Sequence, residues 1–188
     1  MPTIAADAPV IETARLRLRP PDPSDAEDLF EAARSWEVAR YTARMPHPYP
    51  RQEADRFVAA TTELWRNGGA AQFIVRERVG DAFVGMCGVE FDADEAVLGY
   101  FIAHGQWGKG YGGEAARAVV AYAFDARGID RLRAAAVPEN AASHKILARL
   151  GMTRGEKVLE DAPARDAPNW VYRYVLTAAA WRERESES

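Results

Sequence analysis

The segment Phe101-Ile-Ala-His-Gly-Gln-Trp-Gly-Lys-Gly-Tyr-Gly-Gly-Glu114 constrains this chain more than any other. A β-prone run, Val97 to Ile102, enters a loop carrying Gly108, Gly110, Gly112 and Gly113, and an amphipathic helical pattern follows at once. Glycines cost helix and strand stability, so a loop that keeps four of them needs backbone that comes close to something. Amides turned inward at a helix N-terminus, with its partial positive charge, suit a phosphate or pyrophosphate.

Two phosphate motifs compete for this segment. Walker A needs four residues between its first glycine and Gly-Lys, then Ser or Thr. Gly105 and Gly108-Lys109 are separated by two, and Gly110 follows, so that reading fails. Gly108-x-Gly110-x-x-Gly113 matches the dinucleotide fingerprint literally, and Glu139 could mimic its ribose-binding acid. A full dinucleotide fold wants several βαβ units after the fingerprint. Too few follow here, and the strands before the loop read as antiparallel.

The order of elements supports an α/β fold with a mixed sheet. Arg15-Leu-Arg-Leu-Arg alternates as a strand, and Ser24 or Asp22 can cap a helix over Ala26 to Ser35. Pro46, Pro48 and Pro50 forbid regular structure before a second helix, Gln52 to Trp65, which Asn67-Gly-Gly ends. Runs 72–77, 83–91 and 95–102, joined by short turns, predict an antiparallel meander. A helix over Glu114 to Arg127, a strand over Arg131 to Val137 and a short helix over Ala141 to Leu150 come next. Extended runs near Lys157–Glu160 and Trp170–Leu176 close the domain. These bounds imply an extension over 1–10, one domain over 11–182 and a polar tail over 183–188 that frays.

Composition narrows the partners. A formal net charge of −4 on 188 residues argues against nucleic acid, since counterion release needs a basic face. No apolar run approaches ~18 residues, which argues against a membrane span. The N-terminal Met-Pro-Thr-Ile-Ala-Ala-Asp-Ala-Pro lacks the pattern of a signal peptide, so the expected location is cytoplasmic. Cys87 is the single cysteine and reads as a small buried hydrophobe. No metal site can be assembled by spacing from His47, His104 and His144.

With those residues in view, the chain resembles a known family. Trp107-Gly-Lys-Gly-Tyr-Gly-Gly-Glu-Ala is similar to motif A of the GNAT acetyltransferase superfamily, and Asn140-Ala-Ala-Ser143 with Leu150-Gly-Met resembles the motif after it. Glu12-Thr-Ala-Arg-Leu-Arg-Leu-Arg-Pro, Pro46-His-Pro-Tyr-Pro, Leu98-Gly-Tyr-Phe-Ile and Tyr172-Arg-Tyr-Val-Leu-Thr resemble its Rim-type branch, which acts on ribosomal-protein N-termini and small amines. The resemblance implies a GNAT-like single domain with a mostly antiparallel central sheet flanked by helices. It implies transfer of an acetyl group from acetyl-CoA to a primary amine in a ternary complex, without a metal. Relatives of this branch are often dimers, so a homodimer is a further expectation.

The same resemblance distributes roles. Gly108, Lys109, Gly110, Tyr111, Gly112 and Gly113 would bind the pyrophosphate, with Lys109 adding charge or standing solvated. Tyr100, Phe101 and Ile102 would offer backbone to the pantetheine arm, with Asn140 holding it or capping the helix. Ser143 would give the leaving thiolate a proton or a hydrogen bond, or else serve as a cap, and Glu160 or Glu90 would be the base unless both are solvated strand-end carboxylates. The helices, proline loop and terminal β pair would frame the acceptor groove, with Trp36, Tyr41, Tyr49, Trp65 and Trp170 as aromatic candidates. The acidic balance favours a cationic acceptor. A catalytically silent acyl-CoA-binding module that keeps the loop without a base is the alternative.

Overall fold

The computed structural model describes residues 9–93 and 95–187. The expected signal-free N-terminus and most of the 1–10 extension lie outside them. One sheet of eight strands runs through the molecule in the order β1-β2-β3-β4-β5-β6-β8-β7. Its strands are β1 (Ile11–Glu12), β2 (Leu16–Arg19), β3 (Ala70–Glu77), β4 (Phe83–Asp92), β5 (Glu95–Ile102), β6 (Arg131–Ala136), β7 (Thr153–Glu160) and β8 (Asn169–Thr177). Every neighbouring pair is antiparallel except β5 and β6, so the sheet is mixed and the expected meander β3–β5 is present.

Among the described residues six α-helices flank the sheet: α1 (Ala26–Ala33), α2 (Trp36–Ala39), α3 (Arg51–Asn67), α4 (Tyr111–Ala121), α5 (Ala141–Arg149) and α6 (Ala178–Ser186). Strand alternation sorts the core into two layers. Phe73, Val75, Cys87, Val89, Ala96 and Leu98 face α4 and α5. Ile74 and Met86 face α1 and α3, with Phe101 packed beside them. Cys87 is buried, as its apolar neighbours implied, and burial raises its thiol pKa.

Two expectations are corrected. The expected tail is helical as far as Ser186: Thr177 caps α6 by accepting from the Ala180 amide, and Trp181 is buried against Phe124 at 6.1 Å. The aromatic anchor supplies burial that the polar sequence around it concealed. Helix α4 starts at Tyr111 rather than Glu114, so Gly112 and Gly113 belong to its first turn. It then loosens into a π-helical turn, Tyr122–Ala126, before Gly128 turns the chain at φ 65°.

A buried carboxylate ties α1 to the sheet. Asp25 is fully buried and accepts from both Arg19 guanidinium nitrogens at 2.7 Å, from Arg76 at 3.0 Å and from the Asp22 amide at 2.8 Å. Burial pushes its pKa up, but hydrogen bonds from Arg19, the Asp22 backbone and Arg76 outweigh that and hold it below the usual value. The lowered value stabilises the fold above the unfolded carboxyl's pKa of about 4, and the contribution is lost as pH falls through the folded value. Asp25→Ala should cost about 3–5 kcal/mol by stranding two arginines. In urea titrations its stability should also fall less steeply than wild type on the acid side.

Candidate active site

The parallel ladder of β5 and β6 is short. It joins Glu95, Ala96 and Val97 to Arg131, Leu132 and Arg133 and ends there. On its other side β5 stays paired to β4 as far as Ile102. Leu98 to Ile102 therefore hold a straight strand whose β6-facing edge is open, which is the seam an extended ligand arm can enter as an added strand. The expected contribution of Tyr100, Phe101 and Ile102 falls on this edge. The Ile102 carbonyl is already engaged, because the Trp107 indole donates to it at 2.7 Å.

The glycine loop follows the seam. Gly108 and Gly110 take left-handed φ of 78° and 81°, which turns the chain from β5 into α4. Amides of Tyr111, Gly112 and Gly113 fall in the first turn, where a helix supplies no acceptor. A Cβ at Gly108 or Gly113 would meet nothing within 4 Å, so both stand open. At Gly112 it would meet Ile146 Cδ1 at 3.0 Å and Ile102 Cγ1 at 3.3 Å, so that glycine serves the packing of α4 on α5 and β5.

Residues distant in sequence hold the loop in shape. Glu114 accepts from Thr13 Oγ1 at 2.6 Å, from the Arg15 amide at 2.9 Å and from Arg15 Nε at 2.7 Å. Arg15 Nη1 also donates to the Lys109 carbonyl at 2.8 Å. Burial works against the Glu114 charge, yet the bonds from Thr13 and Arg15 prevail and hold its pKa below the ordinary value. Tyr111 donates to Glu77 at 2.8 Å, and its ring lies under Arg15. Lys109 donates to Gln106 at 2.6 Å and lies 3.8 Å from Glu77, so its ammonium is tied to the loop itself.

At the other side of the seam, Asn140 caps α5 by accepting from the Ser143 amide at 3.0 Å. Ser143 is thus the capped residue and its hydroxyl is left for other work. That hydroxyl lies 2.7 Å from Tyr100 Oη, bridging β5 to α5 across the opened strands. Burial keeps the Tyr100 pKa well above the ordinary phenol value, so Tyr100 stays protonated. Leu147 is buried in the core, not in the seam. His144 is held by Tyr174 at 2.7 Å and by the Pro138 carbonyl at 3.3 Å, an arrangement that suits Nε2–H donating and Nδ1 accepting.

The candidate bases are both ion-paired. Glu90 on β4 takes Arg44 at 2.5 Å, and Glu160 on β7 takes Arg173 at 2.6 Å. Glu90 is the cross-strand partner of Val97, the last residue of the β5–β6 ladder. Strand β8 separates Glu160 from β6. Among the described residues no group of three or more His, Cys, Asp or Glu could hold a metal ion, and no helix is long and apolar enough to cross a membrane.

The segment after α2 and the β7–β8 connection meet each other. The Ala164 amide donates to Ala43, and Arg165 donates to the carbonyls of Met45 and Ala39 and lies over the Trp36 ring. Trp36 also packs on His47, and Tyr41 lies near Trp107. Trp65 is not a groove residue: it meets Phe73 edge-on at 5.1 Å and donates to the Gln72 carbonyl. Sequence reasoning passed over Thr13, Arg15, Glu77 and Glu114, although the alternating arginines of β2 were a signal that one face needed anions.

Residues 15–153 match the Acetyltransferase (GNAT) domain, and the chain belongs to that family. It is an acetyltransferase with the single-domain α/β GNAT fold. Among curated relatives, an uncharacterized N-acetyltransferase, p20 of Bacillus licheniformis, is 30% identical over 152 residues, 79% of this chain and 84% of that one. The fold is shared with RimL, the ribosomal L7/L12 alpha-N-protein acetyltransferase, solved in complex with coenzyme A. That structure has a TM-score of 0.81 at 17% identity, covering 92% of this chain and 99% of that one. The ribosomal-protein-S5-alanine acetyltransferase of Vibrio fischeri has a TM-score of 0.75 at 20% identity, covering 92% and 98%.

Glu114→Ala should release the Thr13–Arg15 turn from the loop. Arg15 is half exposed, so the loss should be about 1–2 kcal/mol. Thermal denaturation measures that loss, and amide hydrogen exchange should quicken between residues 109 and 113.

Proposed function

We propose that this chain transfers the acetyl group of acetyl-CoA to a primary amine, either a protein N-terminal α-amine or a small-molecule amine, with both substrates bound together. The observation that carries this reading is the open edge of β5 running directly into a helix N-terminus with free amides. The residues fit coenzyme A. The first-turn amides of α4 and the unfilled space at Gly108 and Gly113 suit a diphosphate, and the edge of Leu98 to Phe101 suits the peptide-like pantetheine arm. Once bound, acetyl-CoA supplies an activated acyl group as a thioester. The Rim-type branch is supported by the same fold in RimL and in the S5-alanine acetyltransferase.

Each polar side chain at the seam then has a task. Tyr100, kept protonated by burial, lies 2.7 Å from the Ser143 hydroxyl; with Tyr100 as the donor, the Ser143 proton is directed to the departing sulfur. Backbone N–H groups on β5 polarise the acyl carbonyl. An incoming amine must be neutral to attack, and an α-amine of pKa ~8 surrenders its proton far more readily than a lysine of ~10. Glu90, at the end of the parallel ladder, is the carboxylate best placed to take that proton once Arg44 releases it. Glu160 is farther away across β8. The reaction runs in the cell interior in this reading, with no metal.

Thiol release from acetyl-CoA should be measured over spermidine, an aminoglycoside and short peptides with free N-termini. Turnover on at least one is expected, and tight coenzyme A binding without turnover on any would leave only the silent module. Ser143→Ala should lower kcat by about 10²-fold with coenzyme A affinity little changed. Gly113→Ala should fold at least as well as wild type, gaining roughly 0.5–1 kcal/mol of helix stability. Calorimetry should nevertheless show it binding coenzyme A at least tenfold more weakly, because the new methyl stands where the diphosphate approaches.

A further inference from the structure

On the α1/α3 face of the sheet, Gln72, Gly88 and Gly99 form one row across β3, β4 and β5. Gln72 is the cross-strand partner of Gly88, and Gly88 is the partner of Gly99. Gly99 lies two residues past Val97, where β5 has parted from β6. The row therefore leads from a carboxamide to the seam over two positions that lack side chains.

Gln72 is 8% exposed, and its carboxamide makes no hydrogen bond among the described residues. Its nitrogen and oxygen are not among the fully buried unpartnered atoms, so both keep some contact with solvent and an incoming group can reach them. The side chain lies over Gly88, where a Cβ would run into the Gln72 carboxamide oxygen and come within 2.5 Å of the Ala71 carbonyl. Glycine at 88 is thus what lets Gln72 lie toward the seam. A Cβ at Gly99 would meet nothing within 4 Å, so the floor beyond Gly88 is open. Strands lie ~4.8 Å apart, which puts the carboxamide about one strand from the open edge.

Two further rows flank this one. Ile74, Met86 and Phe101 form an apolar wall, and Ala70, Glu90 and Val97 form the other side, with Glu90 as its one carboxylate. Thr61 is a buried residue of α3. It lies one turn from Trp65, whose indole reaches the Gln72 carbonyl.

We infer that Gln72 is a positioning residue for the acceptor: its carboxamide oxygen accepts a hydrogen bond from the attacking amine and holds that nitrogen over Gly88 and Gly99. A neutral acceptor suits this task better than a second carboxylate. It aims the nitrogen without fixing the positive charge that attack must shed. Glu90, in the adjacent row, is left to take the proton. This inference rests on the acetyl-transfer reading above.

The test compares wild type with Gln72→Met, which keeps length and removes the hydrogen bond, using the best acceptor in the panel at saturating acetyl-CoA. The variant should melt no lower than wild type and bind coenzyme A equally by calorimetry. Its KM for the acceptor should rise by about tenfold or more. Gln72→Ala should show the same split if the methionine variant folds poorly. An unchanged acceptor KM overturns the inference while leaving the enzyme reading intact. So does a parallel loss of coenzyme A affinity, which would mark Gln72 as merely structural. A wild-type protein silent on every amine removes the acetyl-transfer reading and this inference with it.

Discussion

The molecule is organised around two parallel strands that stop pairing. After Val97 and Arg133, β5 runs on to Ile102 with one edge free, while β6 ends at Ala136 and gives way to Pro138, which has no amide to donate. An open edge inside a sheet leaves backbone groups without partners, a costly arrangement unless something satisfies them. Here β4 keeps β5 straight from one side, and the Tyr100–Ser143 contact spans the gap from the other. The gap is therefore held open by folded structure.

A second constraint concerns charge. The glycine loop sits beside two carboxylates, Glu77 and Glu114, which would repel the proposed diphosphate if left bare. Both are occupied. Glu114 is wrapped by Thr13 and Arg15, and Glu77 accepts from Tyr111 with Lys109 near. The same contacts brace the loop, since Arg15 reaches the Lys109 carbonyl. Acidic residues serve as struts here, and Arg15 and Lys109 offset their charge.

Much of this was legible because local chemistry repeats along the chain. Alternation marked β2, proline and glycine marked the ends of α3 and α4, and the glycine loop marked the ligand's side of the sheet. Asn140 and Ser143 were both singled out, but only the folded chain divided their roles, since which of the two caps α5 depends on where the helix begins. The start of α4 was placed late for a related reason. Glycine disfavours helix, yet Gly112 and Gly113 are drawn into the first turn by packing that a local reading does not see. Helix α6 hid behind its polar residues because a single tryptophan, Trp181, provides its anchor.

By itself the sequence determined most of the elements, their order and the place of the glycine loop, because strand alternation, helix stops and glycine geometry act over a few residues. Only the tertiary structure decided where β5 and β6 part. It alone joined Thr13 and Arg15 to Glu114 over some hundred residues of chain, paired Glu90 and Glu160 with arginines, and laid Gln72 across Gly88. Those facts depend on strand register and on contacts between distant segments, and no local propensity encodes register.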